Sequence, residues 1–380
     1  MATYFFSAPG RTEISGNHTD HQHGCVLAAA VNLQTVAKVT LLDTPVIQIQ
    51  SEGYPYIQIC LDDLKMHPEE KNTTNALVRG IAAAFVERGA KLRGFRAEVT
   101  SNVLPGSGLS SSAAFEVLMG TIINTLFFDK KLTPVQIAQI GQWAENVYFG
   151  KPCGLMDQMA SSVGGMVFID FADPENPVVE KLNFDFAGAG HALCIIDCGA
   201  DHANLTGEYA AIPKELKQLC ALFGKAVLRE IPEGEFFAKL PQIRGKVADR
   251  ALLRAVHFYQ ENKRVHRQVE TLKNGDFATF LQLVRESGRS SWMYLQNITP
   301  AGAVEHQDMA LALTMCEELL KGKGAFRVHG GGFAGTVQAF VPLEMLQSFC
   351  DGMNAVFGKD ACHVLSICPQ GGVQIAEDEI

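Results

Sequence analysis

No run of the roughly 18 to 20 consecutive apolar residues that a membrane-crossing helix needs occurs in this 380-residue chain. Its start, MATYFFSAPGR, carries neither a basic leader nor an apolar stretch ahead of a cleavage site. A cytoplasmic protein without a membrane partner is therefore expected. Positive charge is also scarce: 32 Lys and Arg against 41 Asp and Glu leave a net charge of −9. No segment gathers Lys and Arg into a face that could follow a phosphate backbone, so no nucleic-acid partner is expected. The ten cysteines include no CxxC pair. The closest two, Cys194 and Cys198, alternate with strand-like residues as buried thiols do, so neither disulfides nor zinc is expected. Internal repeats and low-complexity tracts are missing as well. With 47% hydrophobic and 19% charged residues, the chain is long enough for two cores, which excludes disorder and fibrous structure.

What is present mixes strands and helices in an α+β pattern. GCVLAAAVNLQTVAKVTLL, YIQICL and FRAEVTSNV read as strands, and NALVRGIAAAFVERGA has apolar residues at helical spacing. SSSAAFEVLMGTIINTLFF reads as a helix with a small first turn, and Thr133 to Tyr148 as another, capped by Thr133 with Pro134 at its first position. GMVFIDF and ALCIIDCG return to strand; from about Lys214 to Leu320 the text is mostly helical, before FRVHGGGFAGTVQAFV ends in strand and turn. The shift in composition near residues 190 to 210 divides the chain into an expected first domain, 1–195, and second domain, 196–380.

Four runs carry the chemistry. PGSGLSSSAA, Pro105 to Ala114, brings a strand to a glycine turn that opens a helix, where unpaired amides and the helix dipole favour phosphate. The hydroxyls of Ser110, Ser111 and Ser112 add donors or magnesium ligands. No Lys-Ser or Lys-Thr follows the glycines, so it is not a Walker A loop; read alone, it is equally a serine cap on a core helix. RTEISGNHTDHQHG, Arg11 to Gly24, reads as a turn-rich polar segment suited to ligand binding, its histidines lacking the HExxH geometry of a zinc site. Lys151 to Ser161 places Asp157 just inside a helix after a Pro-Cys-Gly turn, where a carboxylate also complements the dipole. His329 to Gly335 matches GxGxxG formally, but a strand follows it where a dinucleotide fold needs a helix.

Together these runs resemble, in order and over nearly the whole chain, the galactokinases of the GHMP kinase superfamily. Arg11 to Asp20 is similar to that family's first motif, Pro105 to Ala114 to its phosphate loop, Pro152 to Gln158 to its catalytic turn and His329 to Gly335 to its third motif. The resemblance implies a two-domain α+β kinase with its active site in the cleft between domains. It implies transfer of the γ-phosphoryl group of Mg-ATP to the anomeric hydroxyl of galactose. Asp157 and Arg11 would be catalytic, the guanidinium holding the carboxylate ionised. Gly106, Ser107, Gly108, Leu109, Ser110, Ser111, Ser112 and Ala113 would bind ATP, and Ser111 with Glu145, twelve residues before Asp157, would hold Mg2+. Asn17, His18, Asp20, Gly154 and Tyr209 would contact the sugar. A monomer or weak homodimer is expected.

The chain departs from the family motif at Asn17, where the family carries Glu against the sugar's C6 hydroxyl. An amide donates and carries no charge, so a C6 carboxylate would no longer be repelled, and galacturonate becomes an alternative substrate; Asn17→Glu is then expected to shift preference toward galactose. His21 and Gln22 also resemble the galacturonic acid kinases. His329 and Ala334 replace the usual Thr and Gly, and the first motif begins almost at Met1. A non-catalytic sugar sensor is the alternative from another class.

Overall fold

A computed structural model describes residues 2–103, 108–151, 153–199, 205–333 and 335–379. The first element, β1 (Thr3–Ser15), pairs antiparallel with β2 (Cys25–Leu41) along nearly its full length. Then follow β3 (Val46–Ser51), β4 (Ile57–Cys60), α1 (Thr74–Glu87), β5 (Phe95–Ser101), α2 (Ser111–Phe127), α3 (Pro134–Trp143), α4 (Met156–Val163), β6 (Met166–Asp170) and β7 (Val178–Leu182). The later part holds β8 (His191–Asp197), α5 (Thr206–Ala221), α6 (Glu233–Ile243), α7 (Asp249–Lys273), α8 (Phe277–Ser290), α9 (Asp308–Leu320), β9 (Ala325–His329), β10 (Thr336–Pro342), α10 (Leu346–Phe357), β11 (Cys362–Leu365) and β12 (Val373–Ile375).

Two sheets result. One has the order β12-β1-β2-β5-β3-β4 with β6 and β7 continuing from the other half of β2; the second has the order β11-β8-β10-β9. The expected division at 195/196 falls inside β8, whose strand partners are β10 and β11, and the last strand returns to pair with β1. Long-range pairing of this kind leaves no mark in local composition.

Alternation sets the faces. β5 buries Phe95, Ala97 and Val99 against α1 and α2, with Arg96 and Glu98 outward. β1 from Phe5 onward and β2 from Cys25 to Val31 are buried without interruption, because helices cover both faces. One core joins Phe6 and Val39 to Val78, Phe85 and Ile122 of α1 and α2; another joins Ile14 and Leu27 to Val265 of α7, Phe280 of α8 and Phe340 of β10, and so links the two sheets. Complete burial of a side chain such as Phe6 or Phe280 contributes about 1.5 to 3 kcal/mol.

One expectation is corrected here. Arg11 to Ser15 is not part of a turn: it is the buried end of β1, and the turn begins at Gly16. Register shifts between Pro9 and Arg11 and between Glu13 and Ser15 mark two irregularities of the bulge type, one just before this stretch and one within it. Such bulges bend a strand and re-aim its side chains, which is how polar residues on a covered strand reach a site.

Candidate active site

Arg11 leaves the bulged end of β1 and meets the first turn of α4. Its Nε and Nη2 donate to Oδ1 and Oδ2 of Asp157, both at 2.6 Å, in a bidentate pair. Its Nη1 donates to the Gly108 carbonyl, and its backbone amide donates to the Leu109 carbonyl at 3.0 Å. One residue of β1 thus ties the phosphate-loop segment to the carboxylate. Burial opposes ionisation of Asp157, but Arg11, the Ser110 hydroxyl and Lys151 outweigh it and hold the group below the usual aspartate range. Its side chain keeps 30% of its surface open against 7% for Arg11, so of the pair it is the carboxylate that is open to a ligand.

The loop before α2 shows why its serines are there. Ser110 occupies the N-cap position in a left-handed conformation, φ 60° and ψ 62°, and makes no side-chain cap bond. Its hydroxyl donates to Asp157 Oδ2 at 2.6 Å. This contrasts with α3, where Thr133 and Gln136 form a reciprocal capping box. Among the described residues, no N-cap side chain therefore takes the amides of Ser111, Ser112 and Ala113, as an anion site requires. Gly108 has φ +70°, and a Cβ there would stand 2.6 Å from Thr336 Oγ1, so both its backbone and its space call for glycine. Gly106, Ser107, Pro105, Pro152 and Ala334 lie outside the described residues.

Behind the loop, Glu145 sits in a π-helical turn that ends α3 and is 4% exposed. Its Oε1 lies 3.3 Å from Lys151 Nζ, and its Oε2 accepts from Gln158 Nε2 at 3.0 Å. The same Gln158 nitrogen donates to Glu116 Oε2 at 3.0 Å, while Glu116 Oε1 is buried without a partner among the described residues. Burial, then the Glu145 charge, pushes Glu116 well above the usual glutamate range. Glu116 did not emerge from the sequence, and Lys151 and Gln158 stood there only at the ends of runs, with no role given to either. The readable signal was a lone Glu inside the apolar helix AAFEVLMG, since an acid in such a place is buried only with a partner.

Around the opposite side, His18 Nε2 pairs with the Gly331 carbonyl at 2.9 Å. A carbonyl only accepts, so Nε2 carries the proton and Nδ1 is left as an acceptor. Asp20 lies against Gly154, where a Cβ would come within 1.8 Å of Asp20 Oδ2; glycine is what admits the carboxylate. Tyr209 donates its hydroxyl to the Gly332 carbonyl at 2.8 Å and packs edge-on against Phe333. The third motif is thus the wall on which His18 and Tyr209 lean.

Asn17 is placed differently from its neighbours. It is fully buried, donating from Nδ2 to Glu13 Oε1 at 3.0 Å and to the Gly330 carbonyl at 2.6 Å. Its Oδ1 accepts from Asn297 Nδ2 at 2.8 Å and Ser291 Oγ at 3.2 Å. Glu13 in turn pairs with Arg327, itself fully buried. Every polar position of the Asn17 amide is taken by protein, so the structure turns it into a buried network.

Comparison with known proteins agrees with this geometry. Residues 2–41 match the galactokinase galactose-binding signature, and residues 76–165 match the GHMP kinases N terminal domain. A galactokinase of Streptomyces coelicolor is 30% identical over 375 residues, which is 97% of this chain and 93% of that protein. The chain belongs to the galactokinase family. Among solved structures, the Lactococcus lactis galactokinase complexed with galactose superposes with a TM-score of 0.84 at 22% identity, covering 98% of this chain and 95% of that one. The Methanococcus jannaschii mevalonate kinase does so with a TM-score of 0.67 at 14% identity, covering 96% and 98%. The two-domain α+β fold of the GHMP kinases is shared across this range. Among the described residues, no helix is long and apolar enough to cross a membrane.

Three histidines give this galactokinase-family site an acid sensitivity. His257 donates from Nε2 to the Asn17 carbonyl, and His329 accepts the Glu13 amide at Nε2, so its Nδ1 proton goes to Thr336 Oγ1. Burial lowers both from the ordinary histidine value and, with His21 nearby, lowers His18 to about 3. The unfolded chain, with histidines near 6.5, then binds more protons below that pH. Stability is intact above pH 6.5 and falls as the pH drops toward the folded values. Glu116, and to a smaller extent Glu13, are raised and run the other way. The three histidines outnumber the two glutamates, so the net slope keeps the histidines' sign. Urea unfolding between pH 7 and pH 5 should show this slope; a flat midpoint would contradict the buried neutral histidines.

Proposed function

We propose that the cleft between the two sheets transfers the γ-phosphoryl group of Mg-ATP to the anomeric hydroxyl of galactose, giving galactose 1-phosphate and ADP. Membership of the galactokinase family makes the chain an ATP-dependent sugar kinase. The observation that carries the reading at this site is the 2.6 Å bond from Ser110, at the mouth of the phosphate loop, to Asp157. It supports the reading because it joins the start of α2 to a carboxylate that Arg11 holds ionised, as an in-line transfer between a bound phosphate and a hydroxyl would need.

In this reading the uncapped amides of α2, with Gly108, Leu109 and the hydroxyls of Ser111 and Ser112, receive the phosphates. Gly106 and Ser107 complete the loop by the resemblance. Glu145 and Ser111 would hold Mg2+; their oxygen-only donors and the unpaired Glu116 Oε1 beside them suit a hard cation. The ion, when bound, neutralises charge on the phosphates. Asp157 accepts the hydrogen bond of the attacking hydroxyl and orients it. Held low by Arg11, it is a weak base, which suffices where the transition state is largely dissociative and little proton transfer is needed early. His18 through Nδ1 and Asp20 accept from sugar hydroxyls, Gly154 gives Asp20 its room, and Tyr209 forms the far wall. Each unmatched polar group in the closed site costs roughly 1 to 3 kcal/mol, which is the source of sugar selectivity.

A galacto-configured uronic acid is the second reading; it rests on the sequence departure at residue 17 alone, since the buried network leaves that amide no free polar position. ADP release from Mg-ATP with galactose, galacturonate and N-acetylgalactosamine at equal concentration separates them. Galactose is expected to give the highest kcat/KM. ATP binding with no ADP release on any of the three would make the chain a sugar sensor and end the kinase reading.

A further inference from the structure

We propose that Cys194, Cys350 and Cys362 form a three-thiolate site for a soft cation, taking Cu(I) in preference to Zn(II). The three come from separate elements: Cys194 from β8, Cys350 from α10 and Cys362 from β11. In the antiparallel register Cys194 stands opposite Val364 and Cys362 opposite Ile196, so the two thiols share one face of the sheet as diagonal neighbours. Helix α10 covers that face and brings Cys350 down onto them. All three sulfurs lie within 4.8 Å of one another, and Sγ of Cys350 and Cys362 are 3.4 Å apart. Asn354 Oδ1 accepts the Cys362 amide at 2.9 Å, which fixes the short link between helix and strand.

A cysteine in a core is ordinarily a small apolar filler. Dispersal would serve that role; convergence of three sulfurs from three elements does not follow from it. Metal–sulfur bonds of about 2.3 Å in a trigonal plane need sulfurs about 4 Å apart, which the cluster spans without rearranging the sheet. Cys194 is buried while Cys350 and Cys362 are partly exposed, so an ion has an entry from solvent. Among the described residues no fourth His, Asp or Glu atom joins the group. Zinc prefers four ligands, whereas three soft thiolates suit Cu(I). The second triad, Cys25, Asp170 and His266, is unlike it: Arg229 already bonds both Cys25 and Asp170, and a cation would have to displace it. On binding, each ligating thiol releases its proton to solvent as the sulfur–copper bond forms; the copper enters as Cu(I), and no electron is transferred.

The test uses the full chain, reduced and kept anaerobic, titrated with Cu(I) from a competing chelator and separately with Zn(II). Copper per chain, the thiolate-to-metal charge-transfer band and the melting midpoint are read. One copper per chain is expected, with a raised midpoint. Cys350→Ser and Cys362→Ser, at partly exposed positions where folding tolerates the change, should each lose more than about tenfold in affinity, since even an outer-shell partner of a metal is worth that. Cys60→Ser, exposed and outside the cluster, should bind like the unaltered chain. Kinase turnover with Mg-ATP and no added copper or zinc should be unchanged in all three. Wild-type affinity in Cys350→Ser, or no copper retained by the unaltered chain, overturns the site; tighter Zn(II) than Cu(I) overturns the choice of ion.

Discussion

Asp157→Asn is expected to lower kcat about 10²- to 10⁴-fold while leaving the KM for the sugar within a few fold. The amide keeps the size of the carboxylate but presents a donor where Arg11 and Ser110 now donate, at 2.6 Å from three directions. Orientation of the acceptor hydroxyl and neutralisation of Arg11 are lost together. Arg11 is 7% exposed, and removing the partner of a buried charge costs up to about 3 to 5 kcal/mol of stability. The Gly108 carbonyl still accepts from Arg11, so the protein should remain folded at a lower midpoint. ADP release at saturating galactose, beside a urea unfolding curve, separates the two effects. A kcat within about threefold of the unaltered enzyme would remove Asp157 from the transfer step. Because Arg11 and Ser110 hold this group below the ordinary aspartate range, kcat should show no loss attributable to Asp157 until the pH is well into the acid carboxylate range.

The positions that sequence made legible are those whose signal is local. The α2 start, the Thr133 cap with Pro134, and the strand alternation of β5 all follow from neighbours within a few residues, and each was readable. The place of Asp157 just inside a helix was readable as a short-range pattern, whereas a catalytic role for it came only from the resemblance. What stayed hidden depends on partners far away in the chain. Arg11 to Ser15 looked like a polar turn because their partners, the acceptors Asp157 and Glu261 and the donor Arg327, lie 146 to 314 positions away and cannot be guessed from composition. The serine cap at Ser110 was an open alternative for the same reason: only the fold shows that its hydroxyl is spent on Asp157. The strand β8 was readable as a strand, but its place in the second sheet was not, since its partners begin at residue 336. Cys194, Cys350 and Cys362 carry no spacing motif at all, and meet only because β11 is laid beside β8.

Asn17→Glu should destabilise the protein by about 3 kcal/mol or more, with little clean shift in sugar preference. This differs from the effect expected on sequence grounds, and the difference is geometric. The amide is fully buried, gives its protons to Glu13 Oε1 and the Gly330 carbonyl, and accepts from Asn297 and Ser291. Glutamate only accepts, so both donated bonds are lost and a second carboxylate is pressed against Glu13. Arg327, fully buried on the far side of Glu13, can neutralise one carboxylate but not two. A second substitution decides between a network role and a sugar contact. Glu13→Asn with Asn17→Glu restores one carboxylate and one amide within reach of the same guanidinium, and should recover about 1 to 3 kcal/mol as a coupling energy. Urea midpoints of the two single variants, the double variant and the unaltered chain complete the cycle, and kcat/KM for galactose and galacturonate is read on each. If Asn17→Glu instead keeps the wild-type midpoint and raises the galactose to galacturonate ratio, residue 17 faces the sugar and the buried network is not its role.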